Sequence, residues 1–162
     1  MLCQTGGGIL ARHNAGRDML AAAIVEHSRL PAPTEQHVHV YSDDRHPDIQ
    51  FIDWRGREVY VDVEIVSPHG RSDVARTRPG AAIAAAEGVK RRKYAALNLI
   101  PAVASHLGCP GKGLVTLVKS ICRQTDMVAR SAAISAIWQD WSCTLQHWNA
   151  HVLSSAGPLM PP

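Results

Sequence analysis

The amino-acid sequence predicts an α/β fold in which helices flank a central mixed β-sheet of about four or five strands. Two observations carry this prediction. Residues 45–66 hold β-branched residues on both sides of a short turn, which is typical of two antiparallel strands. Residues 81–97 form an alanine-rich run, and its high helix propensity indicates a helix that packs on the sheet.

The remaining elements are assigned from hydrophobic periodicity and from turn residues. Asn14 is a suitable N-cap for the first helix, and Pro31 follows its end. In chain order, the expected elements are a helix at 14–29, a short strand at 36–41, a mobile loop at 67–79, a strand within 98–107, helices at 114–122 and 131–153, and a frayed tail at 154–162.

The two strands within 45–66 bring acidic side chains together. If the turn has three residues, 54–56, the pairing register sets Asp48 directly opposite Asp62, with the side chains about 5 Å apart. The period of two along the second strand sends Asp62 and Glu64 to one face. Like charges so placed destabilise a strand pair, whereas converging oxygens suit Mg²⁺ or Mn²⁺. A slip of one residue would turn Asp48 to the other face, so the spacing also allows an ordinary Pro-Asp turn.

The helix predicted at 81–97 carries a polar stripe. Glu87, Lys90 and Tyr94 are expected along one face, and Lys93 is expected to point nearly the other way. In a phosphodiester hydrolase, a lysine near the metal would hold the attacking water or neutralise charge on the phosphate. The alternative is that the KRRK run at 90–93 is a solvated basic face.

Length and composition bound the class of protein. A chain of 162 residues with 46% hydrophobic residues is enough for one domain with a core. No window is apolar enough for a transmembrane span, and the N-terminus has no secretory signal pattern. The expected location is therefore intracellular, with the nucleus as the expected compartment. The four cysteines have no CxxC spacing, so neither a disulfide framework nor a self-contained zinc finger is indicated.

Basic residues concentrate around the acidic hairpin and the alanine-rich helix, although the net charge is only +3. Such a distribution suits a polyanionic partner that is bound through its phosphates. The same arginines could also serve only to solubilise a loop. The basic residues concerned are Arg71, Arg76, Arg78, Lys90, Arg91, Arg92 and Lys93.

A second metal constellation lies near the C-terminus. Cys143, His147 and His151 are spaced four residues apart and share a helix face, so zinc could bind there. Three ligands spread over two turns do not easily reach one ion, however, and single histidines on helices are usually packing or surface residues.

The order of these motifs resembles the PD-(D/E)xK nuclease superfamily. The chain has Pro47-Asp48, then Asp62 on a valine-rich strand, then AE and KxxKY on a helix. More narrowly, it is similar to the restriction-enzyme-like endonuclease domain at the C-terminal end of some non-LTR retrotransposon polyproteins, which share a pattern close to RPDI, VDV, AE and KxxKY. Arg12-His13-Asn14 and Arg17-Asp18 resemble the opening helix of that family, and the similarity covers roughly residues 1–153.

The resemblance implies a restriction-endonuclease-like fold and Mg²⁺-dependent nicking of DNA, with Mn²⁺ as an alternative ion. In the intact element, such a nick supplies the hydroxyl that primes reverse transcription. Asp48 and Asp62 would be metal ligands, and Glu64 is either a third ligand or a neutral variation. Many superfamily members carry lysine where this chain has Glu64, but the retroelement branch places it on the following helix. That makes Lys90 the first choice and Lys93 the second.

The complete catalytic set implied by the resemblance is Asp48, Asp62, Glu64, Lys90, Lys93 and Tyr94. The implied contacts to DNA are Arg12, His13, Arg71, Arg76, Arg78, Arg91 and Arg92. We expect neither a membrane nor a small-molecule substrate as partner, and the sequence leaves the oligomeric state open.

The resemblance also implies a domain organisation and an alternative function. Residues 1–12 would be the remnant of a glycine-rich lead-in after a lost zinc knuckle, 13–153 the endonuclease-like domain and 154–162 a flexible tail. By the resemblance, Cys3 would correspond to the last ligand of that knuckle, and without the earlier ligands it would be a leftover and not a zinc ligand. The missing zinc ligands, the missing polymerase and Glu64 favour the alternative, a decayed retroelement fragment that binds nucleic acid without cutting it. A repair or junction-resolving nuclease of the same superfamily is a third option.

Overall fold

A computed structural model describes residues 8–28, 31–34, 46–67, 78 and 80–155 of the chain. Helices flank a small sheet, so the mixed α/β class predicted from the sequence is confirmed. In chain order, the elements are α1 (Gly8–Ser28), β1 (Ile49–Ile52), β2 (Glu58–Val66), α2 (Ala81–Lys93), β3 (Leu99–Ser105), α3 (Lys112–Ile121), a short 3-10 helix (Cys122–Gln124) and α4 (Met127–Ser155).

The sheet is mixed and has three strands within the described residues, in the order β1-β2-β3. β1 and β2 are antiparallel, whereas β2 and β3 are parallel. A sheet of four or five strands was expected, but the strand predicted at 36–41 lies outside the described residues. The segment before it reaches the β1 edge, where Thr34 forms an isolated bridge with Ile49 and the amide of Gln50 donates to the carbonyl of Pro33 at 3.0 Å.

The β1–β2 hairpin has the register that the sequence predicted. Ile49 pairs with Val61, and one further step along the ladder sets Asp48 opposite Asp62. The turn has three residues because the amide of Asp53 still donates to the carbonyl of Arg57 at 2.8 Å. Gly56 closes it with a φ of 73°, a left-handed conformation that favours glycine.

The two faces of the sheet pack against different helices. Val59, Val61 and Val63 belong to the main core, which also contains buried residues of α1, α3 and α4. On the opposite face, Val66 and Val103 form a smaller cluster with α2. The largest fully buried side chains include Trp141, Tyr94, Leu20, Ile24, Leu114 and Leu117. Since β-strand side chains alternate between faces, Asp62 and Glu64 share the face that carries Val66 and α2.

Several predicted boundaries are wrong, and packing explains them. The first helix begins at Gly8 rather than near Asn14, so Asn14 lies inside the helix and caps nothing. The expected lead-in boundary at residue 12 therefore falls within α1, whose first turn contacts α4: a Cβ on Gly8 would lie 2.8 Å from the Val152 side chain. α2 ends at Lys93 instead of residue 97, because Tyr94 leaves the helical conformation while its ring is buried.

Other predictions lie partly or wholly outside the described residues: Cys3, the strand at 36–41, most of the loop at 67–79 with Arg71 and Arg76, and the tail beyond residue 155. Within the part of the chain that is described, no helix is long and apolar enough to cross a membrane.

Candidate active site

Asp48 is held in place by contacts to two elements. Its Oδ2 accepts a hydrogen bond from the amide of Val63 on β2 at 2.5 Å, and its Oδ1 lies 3.2 Å from Nε2 of His13 on α1. The hydrogen bond to Asp48 raises the pKa of His13, and burial opposes this with a smaller effect. The contact therefore favours the protonated form of His13, whose charge balances that of Asp48, and it orients the carboxylate.

Asp62 forms an ion pair with Lys90 across the β2–α2 interface. Lys90 Nζ lies 2.5 Å from Asp62 Oδ2 and 3.5 Å from Glu64 Oε2, and the side chains of Lys90 and Asp62 are only 16% and 5% exposed. Burial raises the pKa of Asp62 against the attraction of Lys90. Burial would lower the pKa of Lys90, but the attraction of Asp62, joined by Glu64 and Asp48, outweighs it and raises that pKa. Lys90 is therefore an ammonium at neutral pH, surrounded by carboxylates.

Carboxylate oxygens are the donors that Mg²⁺ and Mn²⁺ prefer, and Mg²⁺ sites commonly use one or two carboxylates together with water and substrate phosphate. Asp48 and Asp62 fit such a site by donor chemistry and by register. Among the described residues, however, no group of three or more His, Cys, Asp or Glu side chains is arranged to hold a metal ion. The Lys90 ammonium instead supplies the positive charge between Asp62 and Glu64.

Tyr94 and Lys93 lie at the end of α2, next to this cluster. The Tyr94 hydroxyl donates to the carbonyl of His46 at 2.9 Å, and its ring is 1% exposed, so it anchors the backbone that leads into Asp48. Lys93 Nζ lies 4.6 Å from the centre of the Tyr94 ring. Its charge also lowers the pKa of Asp62. The expectation that Lys93 points away from Lys90 is wrong, because residues three apart are neighbours on a helix surface.

Glu87 does not lie beside Asp62; its side chain contacts the first turn of α3. Its Oε1 accepts a hydrogen bond from the amide of Gly113 in the first turn of α3 at 2.8 Å, and the carboxylate is 6% exposed. Arg91 approaches its other oxygen at 3.4 Å. A carboxylate satisfies free amides at a helix N-terminus, so Glu87 fixes α2 against α3.

Two predicted DNA contacts lie on α1, in different environments. Arg12 is 4% exposed, and its Nη1 donates to Oδ1 of Asn149 on α4 at 2.8 Å. A guanidinium so enclosed does not meet a phosphate from solvent, so this prediction is corrected to a packing role. His13 lies beside Asp48 in the candidate site. Sequence reasoning did not find this contact, since the two residues are 35 positions apart and no local pattern links them.

The predicted surface arginines within the described residues are accessible. Arg78 and Arg92 are exposed. The Arg91 side chain is 53% exposed even though it contacts Glu87. They remain predictions as DNA contacts. Arg71 and Arg76 lie outside the described residues.

The possible zinc ligands on α4 are all exposed. His147 and His151 contact the Trp148 ring edge-on, with ring centres 5.5 Å and 5.2 Å apart. Cys143 is a free thiol. The described part of the chain offers no three-ligand metal group at this face.

Comparison with protein-family models and with curated proteins finds no match for this chain.

Proposed function

We propose that this protein is a divalent-metal-dependent DNA endonuclease with a restriction-endonuclease-like fold, similar to the nuclease domain of non-LTR retrotransposon polyproteins. The observation that carries the proposal is the meeting of Asp48, Asp62 and Lys90. The hairpin register sets the two aspartates opposite each other, and Lys90 reaches Asp62 from the following helix. Two carboxylates can hold a divalent cation and an ammonium can stabilise charge on a phosphate, so these residue types suit metal-assisted hydrolysis of a phosphodiester.

Asp48 and Asp62 would hold Mg²⁺ or Mn²⁺, with Glu64 as an additional oxygen donor. When bound, the ion would stabilise negative charge on the phosphate and lower the pKa of a water molecule. Lys90 contacts Oδ2 of Asp62, so an ion held through that oxygen would compete with the ammonium.

Lys90 is suited to be a hydrogen-bond donor, because the attraction of Asp62 outweighs burial and raises its pKa in the ion-free site. Its ammonium can orient the attacking water or neutralise charge on the phosphate. His13 is a positioning residue in this scheme, since it contacts Asp48 and not the reacting atoms. Tyr94 is a second positioning residue, which fixes the chain at His46.

A second candidate function is nucleic-acid binding without cleavage, as expected of a decayed retroelement fragment. Two observations favour it. Lys90 already neutralises Asp62 and Glu64, and the described residues contain no three-ligand metal group. An inactive descendant in which an ion pair has replaced the metal would have this geometry.

Nicking of supercoiled plasmid separates the two functions. The purified chain would be assayed with Mg²⁺, with Mn²⁺ and with EDTA, beside Asp62→Asn and the control Asp140→Asn, the same change on the exposed surface of α4. The endonuclease proposal requires nicking by the parent and by Asp140→Asn, with loss in Asp62→Asn and in EDTA. Binding of DNA without nicking in either metal would establish the second function instead.

A further inference from the structure

A basic cleft lies at the tip of the β1–β2 hairpin, between the turn and the C-terminal end of α3. Its volume is about 490 Å³. Four cations and one carboxylate line it: Arg55, Arg57, Lys119, Arg123 and Asp53. The rest of the lining includes Trp54 and neutral residues of β2, β3 and α3.

The single carboxylate in the lining is already neutralised. Asp53 is 3% exposed, and its Oδ2 accepts hydrogen bonds from Nε and Nη2 of Arg57 at 3.0 Å and 2.7 Å. Its Oδ1 accepts from the amides of Arg55 and Arg57 at 2.8 Å and 2.9 Å. Asp53 therefore braces the turn, and the charges of Arg55, Lys119 and Arg123 remain without a carboxylate partner among the described residues.

Two of these guanidinium groups are held by one indole. The Arg55 and Arg123 guanidinium carbons lie 4.4 Å and 4.6 Å from the centre of the Trp54 ring. Stacking on an aromatic face uses the flat side of a guanidinium and leaves its in-plane N–H donors available. Those donors match phosphate oxygens in a bidentate geometry.

A purely structural account explains only part of this arrangement. Lys119 lies in the last turn of α3, where a cation interacts favourably with the helix dipole, and Arg123 lies in the 3-10 helix that follows. That account does not explain why the turn adds Arg55 and an exposed Trp54 to the same cleft. Cations from separate elements that converge on one concave surface attract an anion with several charges.

The cleft is separate from the candidate active site. Val59 and Ile100 line the cleft, and they belong to the sheet face opposite Asp62. The two sites also lie near different ends of β2: Arg57 and Asp62 are separated by about 17 Å along an extended strand.

We propose that this cleft binds the phosphodiester backbone of DNA, with the Trp54-stacked guanidinium groups of Arg55 and Arg123 as the phosphate contacts and Lys119 as a further charge. The site is a positioning surface that needs neither the metal nor cleavage. The choice of DNA as the anion rests on the proposed nuclease function, whereas its binding at this cleft is tested without cleavage.

The test is binding of a short fluorescein-labelled DNA duplex in EDTA, measured by anisotropy over a range of salt concentrations. The variants are Arg55→Ala/Arg123→Ala and Trp54→Leu. Lys112→Ala is a single-charge control, because it removes one cation from an exposed position at the other end of α3. Near-ultraviolet circular dichroism checks that each variant is folded.

We expect the double variant to bind about tenfold more weakly and to lower the slope of log K against log salt by about 1.8, since each phosphate contact contributes about 0.9. Trp54→Leu should weaken binding about threefold while every charge is kept, because the guanidinium groups lose their platform. If the double variant does not fold, Arg55→Lys/Arg123→Lys replaces it. That variant keeps both charges, so we expect a slope of log K against log salt close to that of the parent, together with weaker binding.

An unchanged affinity and slope in the folded double variant would overturn the proposal. A loss of the same size in Lys112→Ala, with no effect of Trp54→Leu, would also overturn it, because net charge alone would then explain binding. A failure of the nicking assay does not affect this binding measurement, because the binding is measured in EDTA, where metal-dependent cleavage cannot occur.

Discussion

Replacement of Lys90 by methionine tests the central ion pair of the candidate site. Lys90→Met keeps most of the side-chain volume but removes the ammonium 2.5 Å from Asp62, whose side chain is 5% exposed. Loss of one partner from a buried pair typically costs about 3–5 kcal/mol, because the other charge stays buried and uncompensated. Protonation of Asp62 reduces that cost at low pH, since burial already raises the pKa of this carboxyl group. We therefore expect a loss of about 3 kcal/mol at neutral pH and a smaller loss as the pH falls.

The double variant Asp62→Asn/Lys90→Met removes both charges and should be only about 1 kcal/mol less stable than the parent. Urea unfolding followed by circular dichroism measures these differences. In Lys90→Met, which lacks the ammonium but keeps Asp62, Mn²⁺ should bind between the carboxylates and raise the free energy of unfolding. The gain should be about 2.7 kcal/mol when the Mn²⁺ concentration is about a hundred times Kd.

The double variant, which lacks the Asp62 carboxylate, serves as the control for the ion. If Mn²⁺ leaves the stability of Lys90→Met unchanged, these carboxylates do not form a metal site, and the inactive alternative is favoured. Equal losses in the single and double variants would refute the reasoning about the buried pair itself.

Three further predictions concern contacts that hold the site in place. Glu87→Ala should lower the free energy of unfolding in urea by about 2–3 kcal/mol, because the Gly113 amide loses a charged acceptor. Glu87→Gln keeps an acceptor and should lower it by only about 1 kcal/mol. Equal losses in the two variants would show that the hydrogen bond is not the cause. Gly113→Ala should cost about 3 kcal/mol or more, since its Cβ would lie 2.0 Å from the carbonyl oxygen of Pro101; a near-parent melting temperature would contradict this packing. Protonated His13 is favoured in the folded state because Asp48 raises its pKa, so its stabilising contribution is complete below pH 6.5 and disappears as the pH rises through the higher folded pKa. His13→Gln should lack this loss over the same pH window, and identical pH profiles for the two proteins would argue against the contact.

The sequence alone predicted the hairpin, and it predicted the register only for a turn of three residues. Strand residues alternate with a period of two, so local information leaves a choice between Asp48 opposite Asp62 and a slip of one residue, and the structure has the first of these. The alanine-rich helix is equally local, because helix propensity acts over neighbouring residues. Its first residue and most of its length were therefore predictable, while its end at Lys93 depended on burial of Tyr94.

Only the tertiary structure decided which charges meet. Lys90 rather than Lys93 pairs with Asp62, because α2 packs on β2 with that side of the helix towards the carboxylates. His13 reaches Asp48 only because α1 packs beside the hairpin. Arg12 and Glu87 are charged residues of types that usually lie on the surface, yet both are buried against distant elements. Contacts of this kind depend on how whole helices dock, and docking is governed by the combined burial of many apolar side chains, which no spacing within a single segment specifies.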